Sequence, residues 1–280
     1  MPELNFSKWS PGGNTTLLFP SGQYEPQEQA RLATSALDAT VLGGEQAGFF
    51  DGQRKTLRMA GGEFCVNASR AMGALLAWQN ALPTSSCPAS DDQARPQYEA
   101  EIVVSGWPTA IRLLVRGQVP LWQVAASLRL PSCPVEHLAA DVRLVRLPGI
   151  CHLLLNAPFP ANPDHCLAAA ARLRKRYHLD DEPAAGVVWW RNKGPGLEML
   201  PVVHVRDTHS ACVESACGSG ALALALTQEA SCVSILQPSG STLVVRLRAT
   251  DTEHLACIDG PVRLLAWGSV WLPEATVLSG

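Results

Sequence analysis

Two cysteines stand where a thiol can do chemistry. Cys65 lies in Gly61-Gly62-Glu63-Phe64-Cys65-Val66-Asn67-Ala68-Ser69-Arg70, and Cys217 lies in Glu214-Ser215-Ala216-Cys217-Gly218-Ser219-Gly220. Each is followed at once by a stretch with helical patterning, and the two are 152 residues apart. A helix start carries unpaired backbone N–H groups and a partial positive charge, both of which stabilise anions. A thiol there is expected to have its pKa lowered, so that thiolate is accessible near neutral pH. The same N–H groups can bind a carboxylate, and glycine lets a ligand approach the backbone closely. Two such starts facing one cleft would hold a carboxylate between them, with one sulfur on each side of the neighbouring carbon. That geometry removes a proton from one face and returns it to the other. Cysteine is also a commonly buried small residue and Gly-Ser-Gly a common turn, so either site alone reads equally as structural. The parallel context of both favours chemistry.

These residues need elements to carry them. Helices are expected over residues 27–39, 67–79, 163–177 and 218–228. In the second, Ala68, Ala71, Met72, Leu75 and Leu76 share one apolar face; in the fourth, the run from Ala221 to Leu226 is apolar all round and should be buried. Strands are expected over 101–104, 110–116, 121–128, 142–145, 150–155, 186–190, 202–206, 242–248 and 262–272, runs rich in Val, Leu, Ile and Trp bounded by Gly, Pro or Ser. Each half thus reads as several strands around one central helix, an α+β pattern. Pro131-Ser132-Cys133-Pro134 is the best interior linker, and 83–96 reads as an exposed polar loop.

Composition narrows the classes. The 280 residues allow one large domain or two of about 130–150. With 22 Lys+Arg against 25 Asp+Glu the net charge is −3, and the scattered basic residues leave no nucleic-acid footprint. No apolar run approaches the roughly 18 residues that cross a bilayer, and Met1-Pro2-Glu3-Leu4 does not begin a signal peptide. Nine cysteines cannot all pair within one chain, so reduced thiols and a cytoplasmic location are expected.

The motifs resemble the diaminopimelate epimerase superfamily of cofactor-independent amino-acid racemases and epimerases. That family carries one cysteine in a C-G-N-G-x-R turn and another in an A-C-G-[ST]-G-A turn. Here they read Cys65-Val66-Asn67-Ala68-Ser69-Arg70 and Ala216-Cys217-Gly218-Ser219-Gly220-Ala221. The family's K-M-x-G-x-G-N-D segment is similar to Lys8-Trp9-Ser10-Pro11-Gly12-Gly13-Asn14-Thr15. Its N-P-H segment keeps only His152, and its closing L-x-G-P-A strand resembles Ile258-Asp259-Gly260-Pro261-Val262. Departures bear on the substrate. Two family asparagines that grip diaminopimelate correspond to Ile150 and about Gly186. The stretch from Arg206 to Ser215 is longer than its counterpart, which leaves Arg206 unmatched and Glu214 one place from the family glutamate. Diaminopimelate is therefore not the expected substrate. The Gly-Gly-Glu-Phe-Cys and Glu-Ser-Ala-Cys-Gly-Ser-Gly forms look closer to the histidine racemases that supply D-histidine for opine-type metallophores. In that branch a Glu-Gln pair faces the substrate side chain, and Glu45-Gln46 matches it. A carboxylate suits an imidazole, whose N–H it can accept.

The resemblance implies an α+β fold of two pseudo-symmetric domains, each a curled, mainly antiparallel sheet or barrel around a central helix. Residues 1–133, with 262–280 returning as a strand, would form the first, and 134–261 the second. It implies racemisation without cofactor or metal, L-histidine to D-histidine first, with Cys65 and Cys217 as the catalytic pair. Asn14, Glu45, Gln46, Val66, Asn67, His152, Glu214, Gly218 and Ser219 are the expected substrate contacts. Competing readings are a racemase or epimerase of another amino acid, of diaminopimelate or hydroxyproline type, and a non-catalytic amino-acid-binding protein. A phenazine-pathway isomerase lacks the paired cysteines. The expected partner is a small amino acid, with no nucleic acid and no membrane; a homodimer is allowed. Weaker signals stand apart. His152 in an apolar run can equally be a core histidine. His204, Asp207 and His209 fit no zinc spacing, and Cys212 with Cys217 is not CxxC. The basic run at Arg172, Arg174, Lys175 and Arg176 suits a helix end, and Trp189-Trp190 reads as core. Asn14-Thr15-Thr16 and Asn67-Ala68-Ser69 carry the glycosylation pattern without a secretory signal beside it.

Overall fold

The computed structural model describes residues 3–22, 24–79, 96–131, 133–249 and 254–272. Strands β1 (Glu3–Pro11) and β2 (Thr16–Pro20) lead to helix α1 (Pro26–Leu37), strands β3 (Gln46–Asp51) and β4 (Thr56–Met59), and helix α2 (Val66–Trp78). A meander of β5 (Gln97–Val104), β6 (Ile111–Gln118) and β7 (Leu121–Arg129) closes this half. The other half holds β8 (Val135–Ala139), β9 (Val142–Leu147), β10 (Ile150–Asn156) and α3 (Pro163–Arg176). It continues through β11 (Ala184–Lys193), β12 (Gly196–Val205), β13 (Ser210–Val213), α4 (Gly218–Leu226), β14 (Cys232–Leu236), β15 (Thr242–Ala249) and β16 (His254–Trp271).

Alternation builds the sheet: along β6, Ile111, Leu113 and Val115 are buried while Arg112 and Arg116 are exposed. The strands run in the order β1-β2-β3-β4-β5-β6-β7-β16-β15-β14-β12-β11-β10-β9-β8, with β13 on β12. Because β16 also pairs with β1, strands β1 to β7 and β16 close into a ring. The described chain is a sheet-rich barrel with few helices. The pairing sense repeats between the halves. In β1, β2, α1, β3, β4, α2, β5, β6, β7 the second and third strands are parallel, as are the fourth and fifth. The same holds in β9, β10, α3, β11, β12, α4, β14, β15, β16. The 18-residue β16 belongs to both runs: it pairs with β15 from His254 to Asp259, with β7 from Leu255 to Arg263, and with β1 from Val262 to Trp271.

Helix α2 buries every residue from Val66 to Ala77, and α4 buries eight of its nine. Strands on several sides account for this, β1, β2, β6, β7 and β16 packing on α2, and β9, β10 and β15 on α4. The two helices meet at their N-termini. A Cβ on Gly218 would lie 2.8 Å from Val66 Cβ and 3.0 Å from Asn67 Oδ1, so glycine is what fits. Asn67 Nδ2 donates to the Ala216 carbonyl at 2.9 Å, tying one helix start to the other. Arg70, fully buried, donates to the Val124 carbonyl of β7 (3.1 Å), the Pro261 carbonyl of β16 (2.9 Å) and Asn67 Oδ1 (3.4 Å).

The expected elements are found with shifted ends, and three differences have physical causes. The strand expected from residue 202 begins at Gly196, with Pro201 inside it. Pro201 sits between the segment of β12 that pairs with β14 (Leu197, Glu198) and the segment that pairs with β13 (Val202–Val205), where the missing N–H breaks no ladder. Strands β1 to β4, β8, β13 and β14 went unanticipated because most are short, four to six residues, with little alternation to read. The helix at 27–39 instead spans Pro26–Leu37, with proline at its first turn. Of the loop expected at 83–96, residues 83–95 lie outside the described residues, as do 273–280 of the expected returning strand. No helix among the described residues is long and apolar enough to cross a membrane.

Arg70 pins α2 to the seam where β7 and β16 meet, so Arg70→Met should cost about 3 kcal/mol or more, because the buried carbonyls of Val124 and Pro261 lose their donor. Equilibrium urea unfolding of both proteins measures it; a loss under about 0.5 kcal/mol would remove Arg70 from this role.

Candidate active site

The two cysteines occupy equivalent positions. Cys65 is the N-cap of α2 at φ −133°, ψ 109°, and Cys217 the N-cap of α4 at φ −132°, ψ 107°. Cys65 Sγ accepts from the Ala68 amide (3.3 Å) and Cys217 Sγ from the Gly220 amide (3.4 Å). Sulfur replaces the oxygen of the usual Ser or Asp cap. The first amides of each helix have no partner within the helix, and the two sets converge where Gly218 abuts Val66. One cleft takes lining residues from both halves of the chain, among them Glu45, Gln46, Cys65 and Asn67 from the first and Glu214, Cys217, Gly218 and Ser219 from the second.

Around this shared core the two thiols differ. The Cys65 thiol donates to Gln46 Oε1 at 3.1 Å. Gln46 is held in turn, its Nε2 donating to Asn14 Oδ1 and Thr16 Oγ1, both at 2.8 Å. The Cys217 thiol lies within hydrogen-bonding reach of the Glu214 carboxyl and 3.6 Å from Ser219 Oγ. Ser219 Oγ is 3.0 Å from His152 Nε2. His152 packs against Gly186, where a Cβ would lie 2.1 Å from Nδ1. The Cys217 amide is anchored by Gln237 Oε1 at 3.0 Å. Glu45 staples the halves together: its carboxylate accepts from Asn14 Nδ2 (3.0 Å), the Thr15 amide (3.3 Å) and, across the cleft, the Ser215 amide (2.8 Å).

Electrostatics corrects one expectation. The helix-start amides do pull the thiols toward thiolate, but burial outweighs them. Burial first, then the Glu214 charge, pushes Cys65 up to about 12, against the opposing Ala68 amide. Burial and Glu214 likewise raise Cys217 well above its ordinary value. Both thiols are therefore neutral near pH 7. Burial also raises the three carboxyls that line it. Glu214 reaches about 8, Glu63 about 7, and Glu45 rises while its amide donors hold it down. No Lys, Arg or His is among the described residues lining this cleft. His152, pushed down to about 3 by burial, is a neutral imidazole.

Of the expected contacts, three lie elsewhere than the cleft wall. Asn14 is fully buried one layer behind, where it orients Glu45 and Gln46. Val66 supplies its position at the helix start, its side chain packed toward Gly218. His152 is fully buried behind Ser219. Residues not anticipated from sequence include Gln237, which comes from beyond α4 in the chain, and Cys212, Thr208 and Ser210 on the cleft wall. Glu63 also lines it; the one signal for it was its place two residues before Cys65.

Comparison with known proteins extends over nearly the whole chain. A family model described as the histidine racemase CntK N-terminal domain matches residues 3–271. A histidine racemase of Fusobacterium nucleatum is 28% identical over 277 residues, covering 96% of this chain and 97% of that protein. A histidine racemase of Staphylococcus aureus is 23% identical over 285 residues, covering 96% and 98%. Among solved structures, a hydroxyproline epimerase from Agrobacterium vitis superposes with a TM-score of 0.68 at 10% identity, over 98% of this chain and 94% of that one. A probable proline racemase from Agrobacterium radiobacter gives 0.61 at 9% identity, over 98% and 94%. These two share the sheet-rich barrel.

The raised carboxyls make ligand-free stability depend on pH. Glu63 and Glu214 keep their protons in the folded state up to about 7 and 8, whereas unfolding lets them ionise near 4.5. Their contribution is full below about pH 4.5 and is lost as pH rises through 7 to 8, at up to about 1.4 kcal/mol per pH unit per group. Melting temperature should fall between pH 5 and pH 8, and Glu214→Gln should flatten that fall. An equally steep fall in the variant would contradict the assignment.

Proposed function

Since the chain belongs to the histidine racemase CntK N-terminal domain family and is an amino-acid racemase or epimerase, we propose that it interconverts L- and D-histidine by a two-thiol mechanism without cofactor. The observation that carries this reading is the pair of cysteine-capped helix starts meeting in one cleft, with one thiol from each half of the chain. One sulfur, as thiolate, takes the α-proton from one face; the C–H electron pair moves onto the α-carboxylate as an enolate-like carbanion. The other thiol then gives its proton to the opposite face. The product leaves with its configuration inverted and with the protonation of the two sulfurs exchanged, ready for the reverse reaction. Unpaired amides of the helix starts at Val66 and Gly218 bind the α-carboxylate and stabilise the charge that develops on it.

The neutral thiols fit this scheme. As substrate binds, the base thiol gives its proton to solvent, and the α-ammonium group beside it favours the thiolate that remains. Excluding water also keeps the carbanion from being protonated by solvent on either face. Asn67 and Ser219 orient the substrate at the helix starts, Gln46 holds Cys65, and Asn14 and His152 act from behind as positioning residues. Glu214 sets the charge at Cys217. We assign the fold to the diaminopimelate epimerase type, each curled sheet enclosing one helix. Its domains are 1–133 with 262–280, and 134–261; the near-complete burial of α2 and α4 and the repeated pairing sense support this division. In this reading the enzyme acts in the cytoplasm on free histidine and supplies D-histidine for metallophore assembly.

Incubated with L-histidine in D2O, without pyridoxal phosphate or metal, the protein should form D-histidine carrying deuterium at the α-carbon, followed by NMR and circular dichroism. Cys65→Ser and Cys217→Ser should each lower kcat by at least roughly a hundredfold. Full turnover by either variant excludes the two-thiol mechanism, and a panel of other L-amino acids, hydroxyproline included, tests the substrate.

A further inference from the structure

Three carboxyls line the cleft, and they are not equally committed. Glu45 spends its oxygens on Asn14, Thr15 and Ser215, and Glu214 is paired with the Cys217 thiol. Glu63 differs. It is 8% exposed, and its Oε2 is buried with no hydrogen-bond partner. The carboxyl is steadied by the backbone amides of Glu63 and Gly61. Gly61 makes room for it: a Cβ there would lie 2.9 Å from Glu63 Oε2 and 2.4 Å from Val205 Cγ1. A buried, unpaired carboxyl oxygen costs free energy unless a donor arrives to meet it.

We propose that Glu63 is the specificity-determining residue of the cleft, its Oε2 accepting an N–H from a cationic or N–H-bearing substrate side chain such as imidazolium. This deepens the racemase reading of the cleft and rests on it. The placement separates Glu63 from the carboxylate cradle. The α-carboxylate belongs at the helix starts, beside Gly218 and Asn67, whereas Glu63 sits by Val205 with Arg58 and Asp207 near it. The Glu45-Gln46 pair, which sequence likeness assigns to the side chain, is occupied by protein donors and by Cys65. Glu63 is therefore the lining carboxyl whose oxygen still lacks a donor.

The test measures α-proton exchange and calorimetric binding for L-histidine, L-lysine, L-arginine, L-glutamine, L-leucine and L-proline, with the wild-type protein and with Glu63→Gln. Wild-type selectivity should favour a cationic or N–H-bearing side chain, and Glu63→Gln should lower the kcat/KM ratio of histidine to leucine by roughly ten- to hundredfold, in a variant whose circular dichroism shows the native fold. A ratio within threefold of wild type overturns the proposal while leaving histidine racemisation intact. Preference for lysine or arginine over histidine refutes histidine as substrate and supports the role of Glu63. Wild-type preference for leucine or proline overturns both, and this arm decides even if the variant does not fold. A protein that exchanges none of them loses the racemase reading, and the calorimetric preference still decides the role of Glu63.

Discussion

The contact between two helix starts is the constraint on which the rest depends. Gly218 lies so close to Val66 that a methyl group could not be inserted, and Asn67 reaches across to the Ala216 carbonyl. Aligned amide dipoles of like sign meet head to head here, an unfavourable arrangement without an anion between them. Several bonds hold them there. Arg70 ties α2 to β7 and β16, Glu45 bridges from β3 territory to the Ser215 amide, and Gln237 anchors the Cys217 amide. The result is two helix starts held N-terminus to N-terminus, with one thiol contributed by each half.

The electrostatic logic follows from burial. A cleft lined by carboxyls and thiols with no basic side chain among its described lining residues holds its thiols neutral and raises its carboxyls. A positively charged ligand entering such a cleft would favour thiolate. In water such a ligand would shift a thiol little; in a closed cleft of low dielectric the same charge acts strongly. The cost is stability of the ligand-free protein at neutral pH, a form of site strain that functional clefts commonly carry.

Symmetry of topology does not extend to symmetry of chemistry. The halves repeat the same order of elements and the same parallel pairs, and both cysteines have the same cap geometry. Yet Cys65 faces an amide oxygen fixed by Asn14 and Thr16, while Cys217 faces a carboxyl and a Ser219–His152 pair. Unlike surroundings give the two thiols unlike acidities even where their cap geometry is the same.

Much of this was legible in the chain. Helix caps, turns and apolar periodicity are encoded within a few residues, so both cysteine caps, the four helices and most of the longer strands could be read directly. The halves could be matched because the same turn, cysteine and helix recur. Short strands such as β3 and β14 could not, since six or five residues carry too little alternation to stand out. Nor could the thiol acidity: helix-start amides are local and visible, whereas desolvation depends on everything packed around the sulfur. The same reason moved Asn14 and His152 behind the cleft wall and left Glu63 Oε2 buried without a donor. The sequence by itself determined which groups could do the chemistry and on which elements they stand. Only the tertiary structure decided which of them share one dry space, because distance and burial between remote residues are properties of packing and not of local pattern.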